Sequence, residues 1–160
     1  MTRVPSQSDV ATVINQVRRL ERGLRVIARA IEQAAGTSAA QLFVLEQLSD
    51  GRAMSLTELA ALTFTDRSSV SEVVNRLVDA GLATRDVARS DRRRAAVRIT
   101  ASGRRALARA PTTPARRLID AVGGLPPRVR RELASSLGHL NTALRFDADR
   151  PHMLFEETTR

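Results

Sequence analysis

Residues 89–100 read Arg-Ser-Asp-Arg-Arg-Arg-Ala-Ala-Val-Arg-Ile-Thr, a turn crowded with arginine that runs into a short alternating strand. Like charges packed onto one tip weaken a fold unless something outside compensates them, so such a turn belongs at the surface, with its strand paired to a neighbour. Leu82–Ala88, just upstream, reads as that neighbour, and a helix follows at Ala101. Two short amphipathic helices joined by a brief turn precede the hairpin. Helix, turn, helix and a basic-tipped hairpin together predict a mainly α chain: a winged helix-turn-helix with a small β-hairpin wing, flanked by N- and C-terminal helices.

The flanking helices follow from periodicity. Val10, Val13, Ile14, Val17, Leu20, Leu24, Ile27, Ala28 and Ile31 recur every three or four residues, which predicts a helix over 8–35 with one apolar stripe. That stripe is longer than a helix needs to reach its own core, so part of it is expected to meet a second subunit. Gly36 ends this helix, and Thr37 or Ser38 caps the next, about 39–49, with Leu42, Leu45 and Leu48 inward. Ser55-Leu56-Thr57-Glu58 fits a capping box for a helix that turns Leu56, Leu59, Ala60 and Leu62 inward.

Thr65 or Asp66 caps the helix after it, on which Val70, Val73, Val74, Leu77 and Val78 form an amphipathic face that Gly81 terminates. Beyond the hairpin, a helix over 101–110 is expected to bend at Pro111 and Pro114 and to resume over 115–122, before Gly123-Gly124. Pro126-Pro127 opens a last helix with Val129, Leu133, Leu137, Leu140 and Leu144 inward. Residues 149–160 form a C-terminal tail whose Met153, Leu154 and Phe155 are expected to pack on the body or on a partner.

Charge narrows the function. The 160-residue chain carries a formal net charge of +9, and all 26 of its basic residues are arginine. Residues 82–109 hold nine arginines against Asp86 and Asp91, seven of those nine net charges in under a fifth of the chain. Focused positive charge points to an anionic partner. Cysteine is absent, which excludes disulfides, thiolate metal sites and cysteine redox sensing. Two histidines, His139 and His152, argue against a metal site, and no cofactor is expected. No apolar run approaches a bilayer span, no signal peptide is evident, and a cytoplasmic protein is expected. No nucleophile–base pair or phosphate loop suggests an enzyme. RNA binding is disfavoured because stacking platforms need exposed aromatics, and only 2% of this chain is aromatic.

In a helix-turn-helix the second helix enters the major groove and its first residues meet base edges. Arg67, Ser68, Ser69, Ser71, Glu72, Asn75 and Arg76 are left on the outer face of that helix, where arginine suits guanine and serine suits bases or phosphates. The positive end of the helix adds an attraction for phosphate. On the wing, Arg89, Arg92, Arg93 and Arg94 fit the negative potential of a minor groove, and Asp91 can hold the guanidinium of Arg93. Arg85, Arg98, Arg104 and Arg105 fit either phosphate contacts or plain surface charge.

The run Asp91-Arg92-Arg93-Arg94-Ala95-Ala96-Val97-Arg98-Ile99-Thr100-Ala101-Ser102-Gly103 resembles the wing of the MarR family of bacterial transcription regulators. That pattern is an Asp-x-Arg, a short strand, Leu-Thr and a helix-opening Gly, with Ile99 here in place of leucine. Ser69-Val70-Ser71, Asn75-Arg76-Leu77 and Gly81-Leu82 are similar to the family's recognition-helix pattern. The resemblance implies a homodimer on a pseudo-palindromic operator, acting as a repressor. It assigns residues 36–100 to the DNA-binding lobe and 8–35 with 101–148 to dimerisation, through Val10, Val13, Val17, Leu20, Leu137, Leu140 and Leu144. Asp91 would orient the wing and Arg93 would contact the groove.

Glu72 departs from the basic residue common in the family, and either shapes sequence preference or points away. The resemblance also implies release by a small aromatic or phenolic ligand, for which no residue set stands out. Two alternatives keep the same fold. One is a non-specific architectural protein that coats DNA, and the other is a protein–protein module, which the wing arginines disfavour.

Overall fold

The computed structural model describes residues 7–86, 96–146 and 153–155. The wing tip, with Arg89, Asp91, Arg92, Arg93 and Arg94, lies outside the described residues, as does His152. Helices α1 (Gln7–Ala35), α2 (Ala39–Gln47), α3 (Leu56–Thr63), α4 (Arg67–Asp79), α5 (Ala101–Arg109), α6 (Pro114–Gly124) and α7 (Pro127–Leu144) surround a small antiparallel sheet of β1 (Met54–Ser55), β2 (Ala83–Asp86) and β3 (Ala96–Ile99), in the order β1-β3-β2.

The core is built around α2. Its Ala39, Ala40, Leu42, Phe43, Val44 and Leu45 are all buried, well beyond the one-sided set expected. A helix that is apolar on every side has to be covered on every side, and α3, α4, α5 and α6 supply that cover. A capping box starts it: Ser38 Oγ accepts from the Gln41 amide at 3.2 Å, and Gln41 Oε1 accepts from the Ser38 amide at 3.0 Å.

The hairpin alternates as a half-buried sheet must. Ala83, Val97 and Ile99 are buried, whereas Thr84 and Arg98 are exposed. A third strand joins the hairpin. Two residues are too few to show alternation, and β1 exists only because Met54 and Ser55 pair with Val97 and Ala96. Gly81 adopts φ +66°, and the Leu82 amide donates to Leu77 O at 2.9 Å, which closes α4 with a left-handed stop.

Several apolar positions do not face the core. On α3 and α4, Leu62 and Val78 are 42% and 36% exposed, because the helical step carries each more than a quarter turn from the buried face. Thr63 takes the inward place, with its hydroxyl donating to Leu59 O at 2.8 Å. Pro114 does not interrupt a helix but opens α6 at its first position, where its missing N–H costs nothing, with Thr113 as the cap. Gly123 and Gly124 lie inside the last turn of α6.

The larger correction concerns the flanking helices. No residue of α7 is buried, and Val129, Leu133, Leu137, Leu140 and Leu144 are 39–51% exposed instead of facing inward. Val10, Val13, Ile14, Val17 and Leu20 of α1 are 43–54% exposed, while Ala28 and Ile31 near its end reach the core. Residues 153–155 lie against the body: Met153 is buried in the core, and Phe155 lines a groove on α1 beside Leu24, Arg25 and Ala28.

Candidate nucleic-acid interface

The turn between α3 and α4 sets the geometry. Phe64 caps α3 in the left-handed conformation at φ 55°, and Asp66 then caps α4. One oxygen of Asp66 accepts from the amides of Ser68 at 2.7 Å and Ser69 at 2.9 Å, and from the Ser68 hydroxyl. The other accepts from the Ser69 hydroxyl at 3.2 Å. These bonds, that of the Ser68 hydroxyl foremost, hold the Asp66 carboxyl down at about 2.

The cap has a consequence for anion binding. The amides of Ser68 and Ser69 are already occupied by a carboxylate, so they are not open to a phosphate. Any readout falls to side chains. Ser69 departs from expectation as well: it is only 2% exposed, because its helical position faces the core side and its hydroxyl is turned onto Asp66.

The remaining positions converge. Arg67, Ser68, Ser71 and Glu72 of α4 share an open groove of about 610 Å³ with Leu56 of α3 and Arg85 of β2. Glu72 is exposed and lines this groove. Asn75 is exposed too, but its side-chain oxygen accepts from an Arg85 Nη at 3.2 Å, while Arg76 is half-buried.

The sequence allows Arg85 to be either a phosphate contact or plain surface charge, and the structure places it on the groove. Its Nε is buried with no hydrogen-bond partner among the described residues, and a shielded cationic N–H without a partner is costly. The signal was present in the two-residue alternation of Ala83, Thr84 and Arg85, but only the fold shows β2 lying beside α4. Arg98 reaches back to Gly51 O at 3.5 Å, and Arg105 to Ser102 Oγ at 2.8 Å.

Ser55 and Glu58 form the expected capping box. The Ser55 amide donates to Glu58 at 2.7 Å, and that bond leads in holding the Glu58 carboxyl below its usual range. A second cavity, of about 370 Å³, lies where Phe64 meets Leu118, Ile119, Val122, Gly123 and Arg130 of α6 and α7. Among the described residues no group of three or more His, Asp or Glu side chains could hold a metal ion, and no helix is long and apolar enough to cross a membrane.

Comparison with known proteins agrees with this architecture. The model of the MarR family matches residues 35–94. A transcriptional regulatory protein assigned to the hcr operon of Thauera aromatica is 32% identical over 115 residues, 66% of this chain and 69% of that protein. Among solved structures, Sco3205 of Streptomyces coelicolor, a MarR family regulator in complex with DNA, superimposes with a TM-score of 0.60 at 22% identity, over 95% of this chain and 98% of that one. BpsR of Bordetella bronchiseptica superimposes with a TM-score of 0.54 at 28% identity, over 81% of this chain and 98% of that one. The chain belongs to the MarR family of winged-helix, DNA-binding transcriptional regulators, which are not enzymes.

Proposed function

We propose that this regulator binds a pseudo-palindromic operator as a homodimer and represses transcription by occupying it. The observation that carries the reading is the groove at the start of α4, where Arg67, Ser68, Ser71 and Glu72 are presented together beside Arg85. Arg67 suits guanine, Glu72 can accept from a cytosine amino group, and the serines suit bases or phosphate. Arg85 is a phosphate contact that also braces Asn75, and Arg76 flanks the same helix. Ser69 serves as part of the cap. The wing arginines Arg89, Arg92, Arg93 and Arg94 reach the flanking minor groove, with Asp91 orienting Arg93.

The dimer is formed by residues 8–35 and 101–148, and the lobe by 36–100. Two long helices with exposed apolar stripes support this, since a stable monomer rarely leaves so much apolar surface uncovered. Leu137, Leu140 and Leu144 of α7 meet Val10, Val13, Val17 and Leu20 of α1 across that interface. Release is assigned to a small aromatic or phenolic acid in the cavity at Phe64, whose ring offers a stacking face and whose Arg130 offers a cation. BpsR supports this part, since its DNA binding is regulated by 6-hydroxynicotinic acid.

Fluorescence anisotropy on the protein's own upstream DNA and on a scrambled duplex, across a salt series, tests the reading. A gap of ~10³ at physiological salt is expected. Equal affinities with a steep salt slope would replace it with non-specific coating. An acidic Glu72 inside the groove disfavours coating, because a protein that only neutralises phosphate gains nothing from it.

A further inference from the structure

We propose that Glu46, reaching from α2 to the first turn of α6, is the positioning residue that fixes the angle between the DNA-binding lobe and the α6–α7 arm, and thereby the half-site spacing the dimer accepts. The inference rests on the dimeric-operator reading above and adds to it a residue and a role.

The contact is built on both sides. One Glu46 oxygen accepts from the Thr113 amide at 3.3 Å, and the other accepts from the Thr113 hydroxyl at 3.1 Å. That hydroxyl in turn accepts from the Arg116 amide at 3.3 Å, so one side chain is both the cap of α6 and the partner of α2. Thr113 is completely buried. Arg116 closes the arrangement: its Nε lies 3.7 Å from Glu46, an Nη donates to Gln47 Oε1 at 3.4 Å, and its guanidinium sits 5.8 Å from the centre of the Phe43 ring. Three residues of α2 therefore grip one turn of α6.

The leverage is large. Helix α2 is the centre of the core and packs on α4, whereas no residue of α7 is fully buried and α7 follows directly on α6 in the chain. Pro111 and Pro114 lie on either side of Thr113 and restrict the link's backbone. Eleven residues of α6 make a lever of roughly 16 Å, so a tilt of ~10° at its base moves the far end by ~3 Å. That is about the 3.4 Å step of one base pair. A loose base would let neighbouring half-site spacings bind alike.

Burial pushes the Glu46 carboxyl above the usual range, against the opposing effects of Thr113 and Arg116, and Asp120 adds to the rise. A raised carboxyl favours the folded state only at acid pH, and that contribution is lost as the pH climbs through its raised value. A neutral glutamine keeps the length of the side chain but loses the pull on Arg116 and one of the two acceptor oxygens.

The test uses the full chain as wild type, Glu46→Gln and Glu46→Ala. Anisotropy is measured on upstream-derived duplexes with inverted half-sites at native spacing, at one base pair more and fewer, and on a single half-site. The wild-type preference for native spacing is expected to fall at least fivefold in Glu46→Ala and at least threefold in Glu46→Gln, with half-site affinity held within twofold. Should Glu46→Ala fail to fold, Glu46→Gln carries the same test. A folded variant that keeps the wild-type preference within twofold overturns the proposal. A wild type indifferent to spacing would instead bring down the dimeric-operator reading, and this inference with it.

Discussion

Replacing Gly103 with alanine should destabilise this protein, although the same change in an ordinary helix stabilises one. Gly103 lies in the first turn of α5, where its amide donates to the Thr100 cap at 3.0 Å. An added Cβ would stand 2.2 Å from Leu82 O and 2.8 Å from Ile99 Cγ1, against the 3.5–4 Å or so that carbon contacts prefer. Leu82 cannot withdraw freely. Its carbonyl accepts the Thr100 amide at 3.0 Å, and its own amide is bonded to Leu77 at 2.9 Å. Overpacking costs about 1–3 kcal/mol, and rigid backbone as the neighbour puts this case at the upper end. Weakening the Leu82–Thr100 bond adds about 1 kcal/mol, and the better helix propensity of alanine returns about 1 kcal/mol.

The net is a loss of about 2–3 kcal/mol, or roughly 5–10 °C in Tm for a chain of this size. Gly138→Ala is the control. It lies in α7 with nothing within 4 Å of the added Cβ and on the side away from the apolar stripe, so it should gain about 1 kcal/mol. Thermal unfolding at one fixed protein concentration compares the two. If both variants rise together, the close approach of α5 to the entry of β2 is not the constraint argued here. Because that approach also aims the wing, Gly103→Ala should weaken operator binding as well.

Three further outcomes are expected. Arg85→Ala should weaken binding about equally across operator variants and reduce the salt slope by about 1, whereas Arg67→Ala should change the ranking of variants; anisotropy on an operator series separates the two. Leu140→Asp on the exposed stripe of α7 should give monomers by light scattering, and a variant that stays dimeric would remove α7 from the interface. For Asp66→Ala, the loss of Tm relative to wild type should be full above about pH 4. It should shrink as the pH falls towards 2, because a carboxyl held at about 2 stabilises the fold only while ionised; a pH-independent difference in Tm would contradict that.

Periodicity, caps and turns carried most of the fold. The Ser55 capping box, the Asp66 cap, the Gly81 stop and the alternation of β2 and β3 are local events, each governed by residues a few positions apart, and the chain declares them directly. The concentration of arginine between residues 82 and 109 likewise points to a polyanionic partner from the sequence alone. Tertiary structure decided the rest. Strand β1 exists only because β3 offers it hydrogen bonds, and Gly103 is needed because Leu82, distant in sequence, passes against it.

Which face of an amphipathic helix meets its own core cannot be read from periodicity, which is why the α7 stripe looked inward and lies exposed. Ser69 and Ser71 are alike as residues, and only the placement of α4 on the core buries one and opens the other. Arg85 joins the groove for the same reason: β2 runs beside α4. Local bonding is written in neighbouring residues, but exposure and proximity depend on what the rest of the chain packs alongside.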